Sequence, residues 1–432
     1  MADFRDYQPL MFAVYNALSK QRTSAKYFQI RASGCERFDL TMRAGKIRDM
    51  QFSSNLRVFR LAAEKKSSWR SATDVGTDFS FLTQWEKTSS QLLAQASNSA
   101  DPRPPFVEMP HVETMPPGLP QYDPEVAALC SAVIFHRMFQ TLSPILEKGF
   151  LVDYKTRWQH GASHWNDAPM TFAWTDANGF CFEPQTLVDE RFCIYHPDHP
   201  RLKRHFCYSS WRLNETASLT RFTDALRVAG TAPFFSWNRK NYDRIVFMPS
   251  AVIDILKFCL DVMMNKLSAV PMLPPELVIV DDPLDPLFGR RICVDNRGMP
   301  VSARDIVKDG KPWNDTKNAR HSGEHDAPSI FCPILKSAQS TDAVDLSPES
   351  LSATLDNRTL FIEKIRMFAP DGQGARYLVP DGGILYREGR CLGHVVPAPD
   401  SFSLEETLSH SRPVGLPIRI GNAAVCALEY TP

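Results

Sequence analysis

The chain has 432 residues, of which 43% are apolar and 23% charged, and it carries 49 basic and 49 acidic side chains. A chain of this length exceeds what one compact core usually holds, so we expect two domains. A formal net charge of zero argues against nucleic acid or an anionic membrane bound through bulk electrostatics. It also leaves little repulsion against a permanent protein partner.

The first residues and the cysteines bear on location. Met1-Ala-Asp-Phe-Arg-Asp6 has acids where an export signal has a basic start and an apolar run. No apolar run reaches the length of a membrane span. The ten cysteines are scattered without a Cys-x-x-Cys pair, so we expect reduced and mostly buried thiols. Together these features predict a cytoplasmic protein.

In the first part of the chain, the apolar periodicity alternates between helix and strand. Helical spacing covers 7–20, 79–96, 125–148 and 217–229. Strand-like alternation covers 37–75, with a turn at Ala44-Gly45-Lys46, and also 150–215. Eight prolines between Asp101 and Pro124 exclude a helix or a central strand and indicate an extended surface connection.

The second part of the chain has a different pattern. A helix over 250–267 is followed by short apolar runs punctuated by Gly, Pro and Asp. The fold class predicted is α+β with two domains. We expect an N-terminal domain of helices and β-hairpins over 1–235. A mostly antiparallel β domain, barrel- or sandwich-like with one central helix, should follow over 236–432, with a polar surface loop or lid at 311–350.

Several motifs follow one another in the order and spacing of a known family. They are Leu277-Val-Ile-Val-Asp-Asp-Pro283, Val294-Asp-Asn-Arg-Gly298 and Ile306-Val-Lys-Asp-Gly310, all after the helix that begins near 250. In these motifs the chain resembles the TldD/PmbA (TldD/TldE) family of cytoplasmic metallopeptidases, most closely over 246–310. Gly383–Arg390 is similar to the family's C-terminal hairpin, and Gly415–Gly421 to its closing strand.

The zinc motif of that family, His-Glu-x-x-x-His, is absent. The helix that should carry it reads Ile255-Leu-Lys-Phe-Cys-Leu-Asp-Val262, and no histidine occurs between 206 and 320. By resemblance, Lys257 and Val262 take the positions of the two histidines, Phe258 that of the general-base Glu, and Ser409 or His410 that of a ligating cysteine. Lysine, phenylalanine and valine cannot hold zinc, and Phe258 cannot activate a metal-bound water.

The resemblance therefore implies a TldE/PmbA-like subunit without catalytic residues, metal or cofactor of its own. Its partner would be a TldD-like subunit that holds zinc and the general-base Glu. The heterodimer would cleave unfolded or precursor peptides, gripped by strand addition; which residues bind them is not predicted. No nucleic-acid or membrane partner is expected. Two alternatives stay open: a non-proteolytic peptide-binding protein of the same fold, and an independent enzyme with a relocated site.

Histidines and cysteines supply the candidates for a relocated site. The histidine sets are His160 with His164, then His196, His199 and His205, and finally His321 with His325. Gly161 and the aromatic surroundings favour a strand for the first set, so its rings need not converge. No Glu adjoins His160 as a metallopeptidase motif requires. The candidate thiol nucleophiles are Cys207 near His205 and Cys391 near His394.

Two charged features have a structural explanation. On the helix over 250–267, Asp254, Lys257 and Asp261 share a polar edge, where Asp254 and Lys257 are expected to pair at i,i+3. Asp281-Asp282-Pro283 ends a strand, and turn chemistry explains it better than a metal site does.

Overall fold

The structure, a computed structural model, describes residues 26–65, 69–76, 84–98, 123–161, 171–176, 180–183, 186–213, 233–235, 242–264, 273–282, 285, 303–308, 311–312, 332–338, 348–353, 357–368, 377–395, 402–420 and 423–431. The helices predicted over 7–20 and 217–229 lie outside the described residues. So do most of the proline-rich segment, the motif at 294–298, and His164, His321 and His325.

The first sheet is built from strands up to residue 210. Its strands are β1 (Lys26–Arg43), β2 (Lys46–Lys65), β3 (Trp69–Gly76), β4 (Leu151–Gly161), β5 (Thr171–Asp176), β6 (Phe180–Glu183), β7 (Thr186–His196) and β8 (His199–Ser210). The order is β3-β2-β1-β4-β7-β8, with β5 beside β1 and β6 beside β5, and every pair is antiparallel. Within the described residues, the strands predicted over 37–75 and 150–215 are confirmed.

The turn predicted between β1 and β2 is also confirmed. Ala44 and Gly45 both have positive φ, at 50° and 73°. This geometry matches the right-handed twist of the flanking strands in a two-residue hairpin, and glycine adopts it without steric cost.

Three helices accompany this sheet: α1 (Trp85–Asn98), α2 (Pro124–Ala127) and α3 (Ser131–Leu146). The helix predicted over 79–96 is confirmed from Trp85 onward as α1, whereas 79–83 lie outside the described residues. The single helix predicted over 125–148 is wrong at 128–130, because Leu129 has a φ of 45° and interrupts the helical backbone. Asp123 caps α2 by accepting a hydrogen bond from the N–H of Glu125.

One face of the first sheet is covered by α3. Ile134, Met138, Leu142 and Ile145 recur at helical spacing and are buried in a hydrophobic cluster with side chains of β1, β4 and β7. Each such side chain contributes about 1.5–3 kcal/mol when it leaves water. We call β1–β8 with α1–α3 the first half.

The second sheet starts at residue 234. Its strands are β9 (Phe234–Phe235), β10 (Arg244–Phe247), β11 (Leu277–Asp281), β12 (Arg304–Lys308), β13 (Lys311–Pro312), β14 (Pro333–Ser337), β15 (Thr359–Ile362), β18 (Gly383–Arg387), β19 (Arg390–Val395), β21 (Ser411–Ile420) and β22 (Ala423–Tyr430). A smaller sheet consists of β16 (Ile365–Phe368), β17 (Tyr377–Pro380) and β20 (Phe402–Ser403).

The second sheet has the order β13-β12-β11-β14-β22-β10-β15-β18-β19-β9, with β21 beside β22. Its pairs are mostly antiparallel, but β10–β15, β14–β22 and β19–β9 are parallel. The strand at 277–281 and the hairpins starting at Ile306 and Gly383 are confirmed. The predicted division between 235 and 236 stays a prediction.

The prediction of one polar surface loop over 311–350 is wrong at β14. This strand lies between β11 and β22, and Pro333, Ile334 and Leu335 are buried. The polarity of the surrounding residues concealed a short apolar run that is long enough for one central strand.

Three helices belong to this part: α4 (Pro249–Met264), α5 (Pro348–Ala353) and α6 (Leu404–Ser409). The helix predicted over 250–267 is confirmed as α4. It packs against β22, all eight residues of which are buried, within the largest hydrophobic cluster of the described residues. We call β9–β22 with α4–α6 the second half. Among the described residues, no helix has both the length and the apolar character needed to cross a membrane. The fold class is α+β, as predicted.

Candidate functional site: a cleft between the halves

The two faces of the first sheet differ in chemistry, because side chains alternate along each strand and cross-strand partners share a face. On one face, Leu40, Tyr154 and Trp158 are buried under α3. The opposite face is polar, and its members include Asp39, Thr41, Asp153, Lys155, Arg157, Asp189, Arg191, Cys193, His205 and Cys207. The part of this face that meets the second half is formed by Thr41, Asp153, Lys155, Arg191, Cys193, His205 and Cys207.

An open cleft of about 260 Å³ lies between the polar face and the second half. The first half contributes residues of β1, β4, β7 and β8. The second half contributes Ser250, Ile253, Asp254 and Lys257 from α4, together with Lys364 and Ile420. Both halves are therefore needed to form this site.

Helix α4 presents its polar edge to the cleft because its other faces are buried. Ile255 and Leu256 are fully buried, and Cys259 is nearly so. The predicted pair of Asp254 with Lys257 is wrong: Asp254 Oδ2 lies 2.6 Å from Lys364 Nζ instead. The competing cation comes from the loop after β15, which sequence spacing could not reveal.

Glu363 joins the two halves beside the cleft. Its Oε1 accepts a hydrogen bond from Arg204 Nε at 2.8 Å, and its Oε2 accepts one from the His205 backbone N–H at 2.8 Å. The backbone oxygen of Glu363 accepts a bond from Ser250 Oγ at 2.7 Å. One buried residue thus fixes β8 of the first half against α4 of the second.

The cleft also contains thiols next to a histidine. Cys193 Sγ lies 4.0 Å from His205 Nε2. Burial raises the pKa of Cys193 to about 12 and that of Cys207 to about 11, and it lowers the pKa of His205. At neutral pH these groups are a thiol and a neutral imidazole, whereas a catalytic pair needs a thiolate. The sequence candidate Cys207–His205 therefore lacks the electrostatics of a nucleophile.

The other histidine candidates occupy structural positions. His160 Nε2 lies 2.7 Å from Glu36 Oε2, and both side chains are buried. His196 Nδ1 accepts a hydrogen bond from the Asp198 N–H in the turn between β7 and β8. His394 is buried on β19. In the part of the chain that the structure describes, no group of three or more His, Cys, Asp or Glu residues has a metal-binding arrangement.

The positions matched to the lost zinc motif are spread over two helices. Lys257 lines the cleft, whereas Phe258 packs against the core of the second half. Val262 belongs to the last turns of α4. Ser409 ends α6 and His410 caps it; Ser409 Oγ and His410 Nδ1 both bond to the backbone oxygen of Glu406. Of these positions, Lys257 is the one that belongs to the lining described.

Asp281 has the structural role expected of a strand end. Its Oδ1 accepts a hydrogen bond from the Cys332 backbone N–H at 2.7 Å, and its Oδ2 lies 2.8 Å from Arg304 Nη2. The carboxylate thereby links β11 to the residues beside it.

Sequence reasoning missed the cationic side chains of the cleft. Lys155, Arg191 and Lys364 all line it. Asp153, Lys155 and Arg157 alternate with Tyr154, Thr156 and Trp158 in the sequence. This alternation carries no signal about which element lies opposite the charged face.

The fold is therefore an α+β fold of two halves, an antiparallel sheet and a mixed sheet with a central helix, that meet at a polar cleft. Solved structures with this fold include TldE from Thermococcus kodakarensis, with a TM-score of 0.65 at 12% identity over 98% of both chains. A protein from Thermotoga maritima described as a candidate modulator of a DNA gyrase gives 0.65 at 14% identity over 99% of both.

A third structure, from Bacteroides thetaiotaomicron and also described as a candidate modulator of DNA gyrase, gives a TM-score of 0.63 at 15% identity. It covers 99% of this chain and 98% of that one. No protein-family model and no curated protein matches the chain. The chain has a TldE-like fold, with an alignment that covers 98% of it.

Proposed function

We propose that the chain is the metal-less TldE/PmbA-like subunit of a heterodimeric cytoplasmic zinc peptidase. A TldD-like partner would hold the zinc and the general-base Glu. This chain would form one wall of the chamber and help to select unfolded or precursor peptides. The observation that carries the proposal is the agreement of fold with TldE over 98% of both chains.

The chemistry of α4 supports a subunit without its own metal. The resemblance places zinc ligands at Lys257 and Val262 and the general base at Phe258. Phe258 packs against the hydrophobic core, where it excludes water and offers no lone pair. In the independent-enzyme alternative, the cleft would have to supply the chemistry. Its raised thiol pKa values and lowered imidazole pKa at Cys193 and His205 argue against a thiol nucleophile there.

The experiment is co-expression of the full chain with a TldD-like chain of the same genome that carries His-Glu-x-x-x-His. Mass and zinc content are measured for the purified complex and for this chain alone. We expect a 1:1 complex with about one zinc, because one such motif binds one ion. The zinc should disappear when the partner's histidines are replaced, while the complex persists.

Stoichiometric zinc in the isolated chain, with no partner retained, would contradict the proposal. Retention of peptide by a chain that captures no TldD-like partner on co-expression would favour the non-proteolytic alternative. A matched control is Lys257→Met, which should leave the zinc content of the complex unchanged because the metal belongs to the partner.

A further inference from the structure

Two cations face each other across adjacent strands of the cleft wall. Lys155 on β4 and Arg191 on β7 are direct register partners, and both line the cleft. Like charges placed opposite each other on antiparallel strands are destabilising. Asp189 Oδ2 lies 3.1 Å from Arg191 Nε and offsets part of this repulsion, and an anion bound between Lys155 and Arg191 would offset more of it.

The lining of the cleft as a whole also carries a net positive charge. Five basic residues line the cleft (Arg43, Lys155, Arg191, Lys257 and Lys364) against the acidic Asp153 and Asp254. Asp254 is paired with Lys364 at 2.6 Å. Asp153 Oδ1 accepts hydrogen bonds from the Ala44 N–H and the Tyr195 hydroxyl. Among the described residues, Arg43 and Lys155 have no carboxylate at ion-pair distance.

We propose that the cleft binds the C-terminal carboxylate of a peptide, held between Lys155 and Arg191 from the sheet and Lys257 from α4. The proposal rests on the proposed function and adds a substrate class to it: peptides presented by a free C-terminus. By the resemblance, Lys257 brings a positive charge to the helix position where a TldD-like chain has a zinc ligand.

Size and lining favour a chain end over a long segment. The volume of about 260 Å³ lies just below the range for small-molecule sites, about 300–1,000 Å³. Ile253 and Ile420 also line the cleft and offer apolar contact to the last side chain of the peptide. Free phosphate has the same charge chemistry but gains nothing from these isoleucines.

The test is calorimetric titration of the full chain, without partner or zinc, with three probes: acetyl-trialanine with a free carboxylate, the same peptide as C-terminal amide, and inorganic phosphate. We expect the acid to bind at least about tenfold more tightly than the amide, as loss of a charge-assisted contact typically causes. The affinity should fall as salt is added. Equal affinities for acid and amide, or no binding of any probe, would overturn the proposal. Phosphate binding as tight as that of the acid would overturn the assignment to a peptide terminus.

Variants separate a binding role from a structural one. Lys155→Ala should weaken binding of the acid about tenfold without lowering the thermal midpoint of the ligand-free chain, because the lysine has a like charge, Arg191, as its cross-strand partner. Lys148→Ala, an exposed lysine outside the cleft, should change neither quantity. A Lys155→Ala variant that binds like the wild type would contradict the proposal.

The result of the binding test and the result of the co-expression test can be distinguished. Loss of acid selectivity in a chain that still captures its zinc-bearing partner would overturn only the carboxylate site. Selective binding by a chain that captures no such partner would overturn only the proposed function.

Discussion

Glu190 is a buried carboxylate of the first half that is held by one ion pair and one hydrogen bond. Arg137 Nη2 lies 2.9 Å from its Oε2, and the Tyr154 hydroxyl donates to its Oε1 at 2.7 Å. Burial, and then the charge of Glu190, raise the pKa of Tyr154 well above its usual 10. The phenol therefore stays protonated and available as a donor.

Removal of Arg137 would leave this carboxylate buried without a counter-charge. We expect Arg137→Ala to lower the free energy of unfolding by about 3–5 kcal/mol, measured by urea denaturation. The control is Arg387→Ala, which removes an exposed pair with Glu388 and should cost less than about 1 kcal/mol. Equal losses in the two variants would show that the Arg137–Glu190 pair is not effectively buried.

His205 should make stability depend on pH. Burial lowers its pKa from the usual 6.5 in the folded chain. Below pH 6.5, the unfolded chain binds this proton before the folded chain does, so stability is full above 6.5 and falls as the pH decreases. The slope is at most about 1.4 kcal/mol per pH unit for one group. The charged groups that act on the imidazole are Glu363, Lys203, Asp381 and Lys364.

We expect His205→Gln to flatten the loss of stability between about pH 7 and pH 5, measured by urea denaturation at each pH. The matched control is His136→Gln, on the exposed side of α3, which should keep the wild-type slope. A wild-type slope in His205→Gln would mean that other groups control the acid sensitivity.

At the scale of elements, local patterns predicted much of the fold. The alternation at Phe38, Leu40 and Met42 predicted β1, because one of its faces is buried and the other polar. The break at Leu129 was missed because no glycine or proline marks it. The strand β14 was missed because burial of its apolar residues depends on neighbours distant in sequence, β11 and β22. The cleft was missed for the same reason, since its cations converge only after both halves have folded.

Close contact between the backbones of Gly393–His394 and Pro233 holds β9 at the edge of the second sheet. The N–H of His394 donates to the Pro233 oxygen at 2.8 Å, and a Cβ on Gly393 would lie 2.4 Å from that oxygen. Gly393→Ala should therefore cost about 1–3 kcal/mol and speed amide exchange at His394. Gly149→Ala is the control: its added Cβ meets open space, and its φ of +82° costs about 1–2 kcal/mol. Unchanged exchange at His394 in the Gly393 variant would show that β9 can shift without loss of pairing.

At the scale of the whole molecule, two ion pairs that differ in solvent exposure connect the two halves. The side chains of Arg204 and Glu363 are only 2% and 8% exposed and lie 2.8 Å apart. The second bridge, Lys203 Nζ to Asp381 Oδ2 at 3.0 Å, is considerably more exposed. The coupling between the halves should therefore depend mainly on the buried pair, and the cleft between them should depend on it too.

Glu363→Gln keeps the shape of the side chain but removes the negative charge that faces the buried Arg204. We expect a loss of about 3–5 kcal/mol and separation of one calorimetric unfolding transition into two, because the halves have separate hydrophobic clusters. Asp381→Asn, the more exposed control, should cost less than about 1 kcal/mol and keep a single transition. The double change Arg204→Met with Glu363→Met should recover most of the lost stability, since apolar side chains of similar length can replace a buried ion pair. A single, unshifted transition in Glu363→Gln would mean that apolar contacts alone hold the halves together, and that the cleft does not depend on this ion pair.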